Sequence, residues 1–135
     1  QRALIFAEVS APSSDAKTEA WDKTLGDGYG SLHLTQSAMG GFNWTHQRPI
    51  LEAYVDRYFE VLPSVFRDKG REFSTSFARG LFPRYIVEQS ILDRSGRVLA
   101  EPGGENPLLD RILREANDDH LRAIRCRAFA EAALG

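Results

Sequence analysis

Only one cysteine, Cys126, occurs among the 135 residues, so no intrachain disulfide can close and no second thiolate is present to share a metal. Such a composition suits a reducing, cytoplasmic compartment. Long apolar runs are missing as well: stretches such as Ala3 to Ala7 fall far short of the roughly 20 residues that a bilayer-spanning helix needs. Charge of one sign is not in excess, with 17 Lys and Arg against 19 Asp and Glu; no basic surplus draws the chain to nucleic acid or to an anionic membrane. A basic leader with a long apolar stretch and a small-residue cleavage site is also lacking. The chain begins at Gln1 rather than Met and reads as a processed chain or a piece of a longer one. Alternation of apolar and polar residues with a period of two is absent, and with it the signal for strands.

What remains is a hydrophobic fraction of 42% and a charged fraction of 27%, ordinary for one folded globular domain, with helical periodicity along most of its length. Residues 14 to 25 start with a capping residue, continue with helix formers around Trp21 and Leu25, and stop at Gly26. Gly26 to Gly30 form a connector, after which Leu32, Leu34, Ala38 and Met39 mark a second helix ending at Gly40-Gly41. Leu51, Tyr54, Val55, Tyr58, Phe59 and Leu62 recur at steps of three and four, with Glu52, Asp56 and Glu60 opposite, as in an amphipathic helix. Pro63 predicts a kink or a fresh short helix there. Phe73, Phe77 and Leu81 define another helix, in which Gly80 would allow a neighbour to come close. Tyr54, Tyr58, Phe59 and Leu62 are expected to form the central core against Phe73 and Phe77. Ile86, Ile91, Leu92, Val98 and Leu99 mark one or two short helices before the breaker run that begins at Glu101. Asn106-Pro107 is a start signal for a long terminal helix. The expected class is all-α, with antiparallel helix pairs stacked irregularly as a HEAT- or armadillo-like α-solenoid fragment. A closed bundle is the competing architecture.

Catalytic and metal-binding signatures are sparse. His33, His46 and His120 begin no His-Glu-x-x-His helix and form no pair at i, i+4 spacing. His120 reads as a hydrogen-bonded structural histidine, the other two as exposed or capping. No Gly-x-Ser-x-Gly elbow is present, and Cys126 reads as a small buried or half-buried filler. Gly26, Gly28 and Gly30 imitate a phosphate loop, but Ser31 stands where a third glycine belongs and no strand precedes them, so a plain turn is expected. The row Glu52, Asp56 and Glu60 reads as a solvated helix face rather than paired catalytic carboxylates. Arginines abound after Arg67, yet residues 71 to 100 hold five basic against three acidic residues, and residues 111 to 127 hold the same numbers. Those are mixed faces suited to ion pairs and carboxylate contacts. Phe42 and Trp44 offer either a recognition edge or a hydrophobic staple onto the next helix.

The order of motifs adds a resemblance. Gly41-Phe42, the run from Arg48 to Pro63 with its Tyr-Val-Asp-Arg-Tyr-Phe centre, Gly80-Leu-Phe-Pro-Arg84, Leu92-Asp93 and Leu99-Ala100 together resemble the C-terminal helical domain of the aminopeptidase N family. These are zinc metallo-aminopeptidases, and the likeness is to the actinobacterial type. It runs from about Asp15 to Ala130. Residues 1–13 form an unmatched N-terminal segment and 14–134 the helical array of a single domain.

The resemblance implies a fragment of a larger hydrolase. The family's Gly-x-Met-Glu-Asn motif and its zinc helix have no counterpart here, since Met39 is followed by Gly40. By that resemblance the zinc belongs to the parent's catalytic domain, this fragment is inactive alone, and its helices close over the active site and shape peptide access. Its partners would be the catalytic domain of the same polypeptide and the parent's peptide substrates. Arg79 and Arg84, near helix ends, are the candidates for a peptide carboxylate, with Phe42 and Trp44 as further chamber or domain-interface residues. The alternative is a free-standing helical-repeat module that binds another protein. A last expectation concerns Ala3, Leu4, Ile5, Phe6 and Val9. As the edge of a truncated array they would lack cover and either self-associate or fray.

Overall fold

The computed structural model describes residues 1–44, 47–101 and 106–134. His46 and most of the breaker run after Glu101 lie outside them. Among the described residues there are eight helices and no strand: α1 (Arg2–Val9), α2 (Ser14–Leu25), α3 (Leu32–Phe42), α4 (Arg48–Leu51), α5 (Ala53–Asp68), α6 (Arg71–Gly80), α7 (Gln89–Ala100) and α8 (Pro107–Leu134).

Local chemistry sets several of these boundaries. The Ser13 hydroxyl, one residue ahead of the expected start, accepts from the Ala16 amide at 3.3 Å and caps α2. Ser31 caps α3 through the Leu34 amide at 3.2 Å. Gly28 and Gly30 before it have φ of 74° and 95°, a left-handed backbone that glycine adopts without penalty. The glycine run is therefore a turn leading into a cap. Asn106 accepts from the amides of both Leu108 and Leu109 at 3.1 Å, satisfying two of the donors that a helix start leaves open. Pro63 breaks nothing: α5 runs through it from Ala53 to Asp68. Burial of Leu62 and Val65 on either side holds the helix against the lost hydrogen bond.

Packing follows two rows. α1 lies on α3, α3 on α6 and α6 on α8, while α2 meets α4, α4 meets α5 and α5 meets α7. Cross contacts of α2 with α1 and α3, α5 with α6, and α7 with α8 tie the rows together, an order compatible with α-solenoid-like stacking. The centre is aromatic. Trp21 touches Phe42, Tyr54 and Phe77 with ring centroids 5.3–5.8 Å apart, and Tyr58 stacks on Phe77 at 5.9 Å. Tyr54, Tyr58, Phe59, Leu62 and Phe77 are all buried, and Phe73 packs half-buried beside them. The Tyr58 hydroxyl is satisfied within this core by donating to the Ala78 carbonyl at 2.6 Å, and burial pushes its pKa strongly upward.

The first segment is covered only in part: Ala3, Leu4 and Phe6 are exposed, as expected from the sequence, while Ile5 and Val9 find cover within the chain. α1 is docked on α3 with Val9 buried and Ile5 half-buried, although Leu4 stays 63% exposed. The reason is Gly41: a Cβ there would sit 2.7 Å from the Phe6 carbonyl oxygen, so only glycine lets the two backbones meet. Gly40-Gly41, in the last turn of α3 as expected, is thus also the point where α1 crosses it. Gly80 is less demanding, since a Cβ would lie 3.5 Å from that of Met39, an ordinary contact.

Lys17 completes this corner. Its side chain is fully buried, and Nζ donates to the carbonyls of Val9 (2.6 Å), Phe42 (2.9 Å) and Gly41 (3.3 Å). Those are the last carbonyls of α1 and α3, which have no partners within their helices and carry the negative end of the dipole. One ammonium serves both.

At the other end, burial on α8 stops at His120. At 1.5 Å per residue the helix is about 42 Å long, and its last turns run past their neighbours. Phe129 is 78% exposed. Cys126 is exposed too, not the buried or half-buried filler expected of a helix-interior cysteine, since this part of α8 has no buried residue.

Candidate functional site

The four residues singled out from the sequence separate in space. Phe42 is buried among Trp21 and Tyr54 and presents no recognition surface. Trp44 is 37% exposed; its ring meets Phe6 of α1 edge-on at 6.0 Å and Nε1 donates to the Gly41 carbonyl at 3.1 Å. It staples backward onto α1, not forward onto the next helix. Arg79 and Arg84, by contrast, come together. Arg84 Nη2 donates to the backbone carbonyl of Arg79, closing the end of α6, while the Arg79 guanidinium lies 3.6 Å from Glu115 of α8.

Beside Arg84 is a cavity of about 220 Å³ between the turn after α6 and the middle of α8, lined by Phe82, Arg84, Ala116, Asp119, His120 and Ala123. The four α8 residues follow i, i+3, i+4, i+7 spacing and so form one stripe of the helix. Phe82 is buried and meets the His120 ring edge-on at 5.8 Å. His120 is 3% exposed, and its buried Nε2 has no hydrogen-bond partner. Burial lowers its pKa, against the backbone groups of Glu88 and Ile86, which favour the protonated ring. The sequence reading of a structural histidine agrees with this burial against Phe82, but the hydrogen bond expected of it is missing at Nε2. Nothing local signalled the cavity, because Phe82 and Arg84 lie more than 30 positions away in the chain.

A second, polar hollow lies where α5 meets α7 and the segment before it. Arg48 bridges Glu52 and Glu88, each at 2.7 Å, and Arg94 pairs with Asp56. The Arg48 hydrogen bond holds the Glu88 carboxyl below its ordinary range. Two members of the acidic row are therefore engaged by arginine, and Glu60 is exposed, as expected for a solvated face. His33 is exposed on α3. Among the described residues no group of three or more His, Cys, Asp or Glu is placed to hold a metal ion, and no helix is long and apolar enough to cross a membrane.

No family model matches the chain. It is similar to the aminopeptidase N of Streptomyces lividans, with 34% identity over 135 positions that take in 98% of this chain and 15% of that much longer protein.

Proposed function

We propose that this chain is the C-terminal helical domain of an aminopeptidase N-like zinc metallo-aminopeptidase, a non-catalytic cap that closes over the active site and shapes peptide access. The observation that carries the reading is the alignment: nearly all of this chain matches a small share of a longer aminopeptidase N. A unit that lacks metal-binding and nucleophile groupings of its own among the described residues suits a supporting role in such a polypeptide. The zinc is then held by the parent's catalytic domain, in a cytoplasmic enzyme.

The exposed features fit contact with another domain. Phe129 and Leu134 on the projecting end of α8, and Leu4, Phe6 and Trp44 at the α1 end, are large apolar side chains open to solvent, of the kind that mark interaction surfaces when grouped. Arg79 and Arg84 lie at the α6–α8 junction, where a fork of donors could take a peptide carboxylate.

The test compares the full-length polypeptide containing this chain with a version ending before Gln1, assayed on an aminoacyl-anilide and on longer peptides. Zinc-dependent activity in the full-length protein is expected, with a changed KM for longer peptides once the cap is removed. A full-length protein without peptidase activity would overturn the reading. So would activity for which peptide length makes no difference to the effect of removing the cap.

A further inference from the structure

The α8 stripe and the turn after α6 bring together polar groups whose hydrogen-bonding capacity is only partly used. We infer that the cavity lined by Phe82, Arg84, Ala116, Asp119, His120 and Ala123 is a binding site for a free, zwitterionic α-amino acid with a small or medium apolar side chain. The inference rests on the cavity and not on the aminopeptidase reading.

Three polar groups of complementary kind meet there. Arg84 spends one amino group on the Arg79 carbonyl, which fixes its orientation and leaves further guanidinium N–H donors for a carboxylate. Asp119 gives one oxygen to Arg122; the other can accept from an ammonium. His120 Nε2 is buried without a hydrogen-bond partner; in the neutral ring protonated at Nδ1 it offers a lone pair. A buried acceptor left without a donor is costly, and an α-ammonium supplies donors to Nε2 and Asp119 together. A bare anion would meet Asp119 at the rim, and a bare cation would meet Arg84. A zwitterion satisfies both.

Size and lining narrow the class further. The cavity, about 220 Å³, is of a size that suits one amino acid better than a long peptide. Phe82, Ala116 and Ala123 give the remaining wall an apolar character that suits a side chain such as that of leucine.

The experiment titrates the isotopically labelled chain with L-leucine, following backbone amides and the imidazole nitrogens of His120 by NMR. Saturable shifts around the cavity are expected, with a Kd of about a millimolar, the scale for a ligand of about nine heavy atoms. The His120 Nε2 resonance should move as its lone pair is engaged. N-acetyl-leucine, which lacks the ammonium, and leucinamide, which lacks the carboxylate, should each bind roughly tenfold or more weakly. Ala123→Leu, which fills the cavity, should abolish the shifts, and Arg84→Gln, at an exposed position, should weaken them by roughly tenfold or more. Absence of saturation with L-leucine would overturn the proposal. Equal binding of N-acetyl-leucine, or binding that Arg84→Gln leaves unchanged, would do so as well.

Discussion

Lys17 Nζ lies 2.6 Å from the carbonyl oxygen of Val9, at the end of the helix α1. Burial lowers the Lys17 pKa to about 8, so the folded chain gives up this proton more readily than the unfolded one. Between about pH 8 and the ordinary lysine range near ~10.4 the unfolded state binds more protons, and the unfolding free energy therefore rises with pH across that window. Below it the contribution is flat. Urea unfolding at a series of pH values should show the rise in the native sequence and not in Lys17→Met. That variant should also lose about 1–3 kcal/mol at neutral pH, because the carbonyls are left buried without a donor. A pH-independent curve for the native chain would contradict the assignment.

Gly41→Ala should undo the α1–α3 contact. Its new Cβ would press on the Phe6 carbonyl oxygen, and overpacking of this kind costs about 1–3 kcal/mol. Amide exchange across Arg2–Val9 should accelerate while that of α5 is unchanged. Gly80→Ala, facing ordinary contact with Met39, should be neutral or slightly stabilising, since alanine is favoured over glycine in helices by up to about 1 kcal/mol.

Phe77 and Phe129 are the same residue type in opposite settings, one fully buried and the other 78% exposed. Phe77→Ala should cost about 3–5 kcal/mol through the lost packing and the cavity left behind. Phe129→Ala should stay within about 0.5 kcal/mol in the isolated chain. Thermal melts of the two variants check the contrast, and a large loss for Phe129→Ala would mean that the end of α8 is covered.

Cys126 should react with a thiol reagent in the native chain almost as fast as in denaturant, because it is exposed. A strong slowing in the native state would place the thiol under cover.

The cap Asn106 serves two amides of α8, and Asn106→Ala should cost about 1 kcal/mol, read as a lowered unfolding midpoint.

The sequence by itself determined what depends on near neighbours. The spacing of Tyr54, Tyr58, Phe59 and Leu62 at helical steps set the buried face of α5, Asn106-Pro107 set the start of α8, and the missing alternation excluded strands, because helical hydrogen bonds and caps reach only three or four residues along the chain. The tertiary structure alone decided what depends on distant segments meeting. Whether Gly41 admits a second helix, whether Lys17 reaches water or three carbonyls, whether Pro63 interrupts α5, and whether Cys126 is covered are settled by which elements lie alongside. The cavity at His120 belongs to this second kind: its α8 stripe is regular in the sequence, but the arginine and the aromatic wall that give the stripe a ligand's shape arrive from the turn after α6, brought there by the burial of Phe82 and Leu113 in one core.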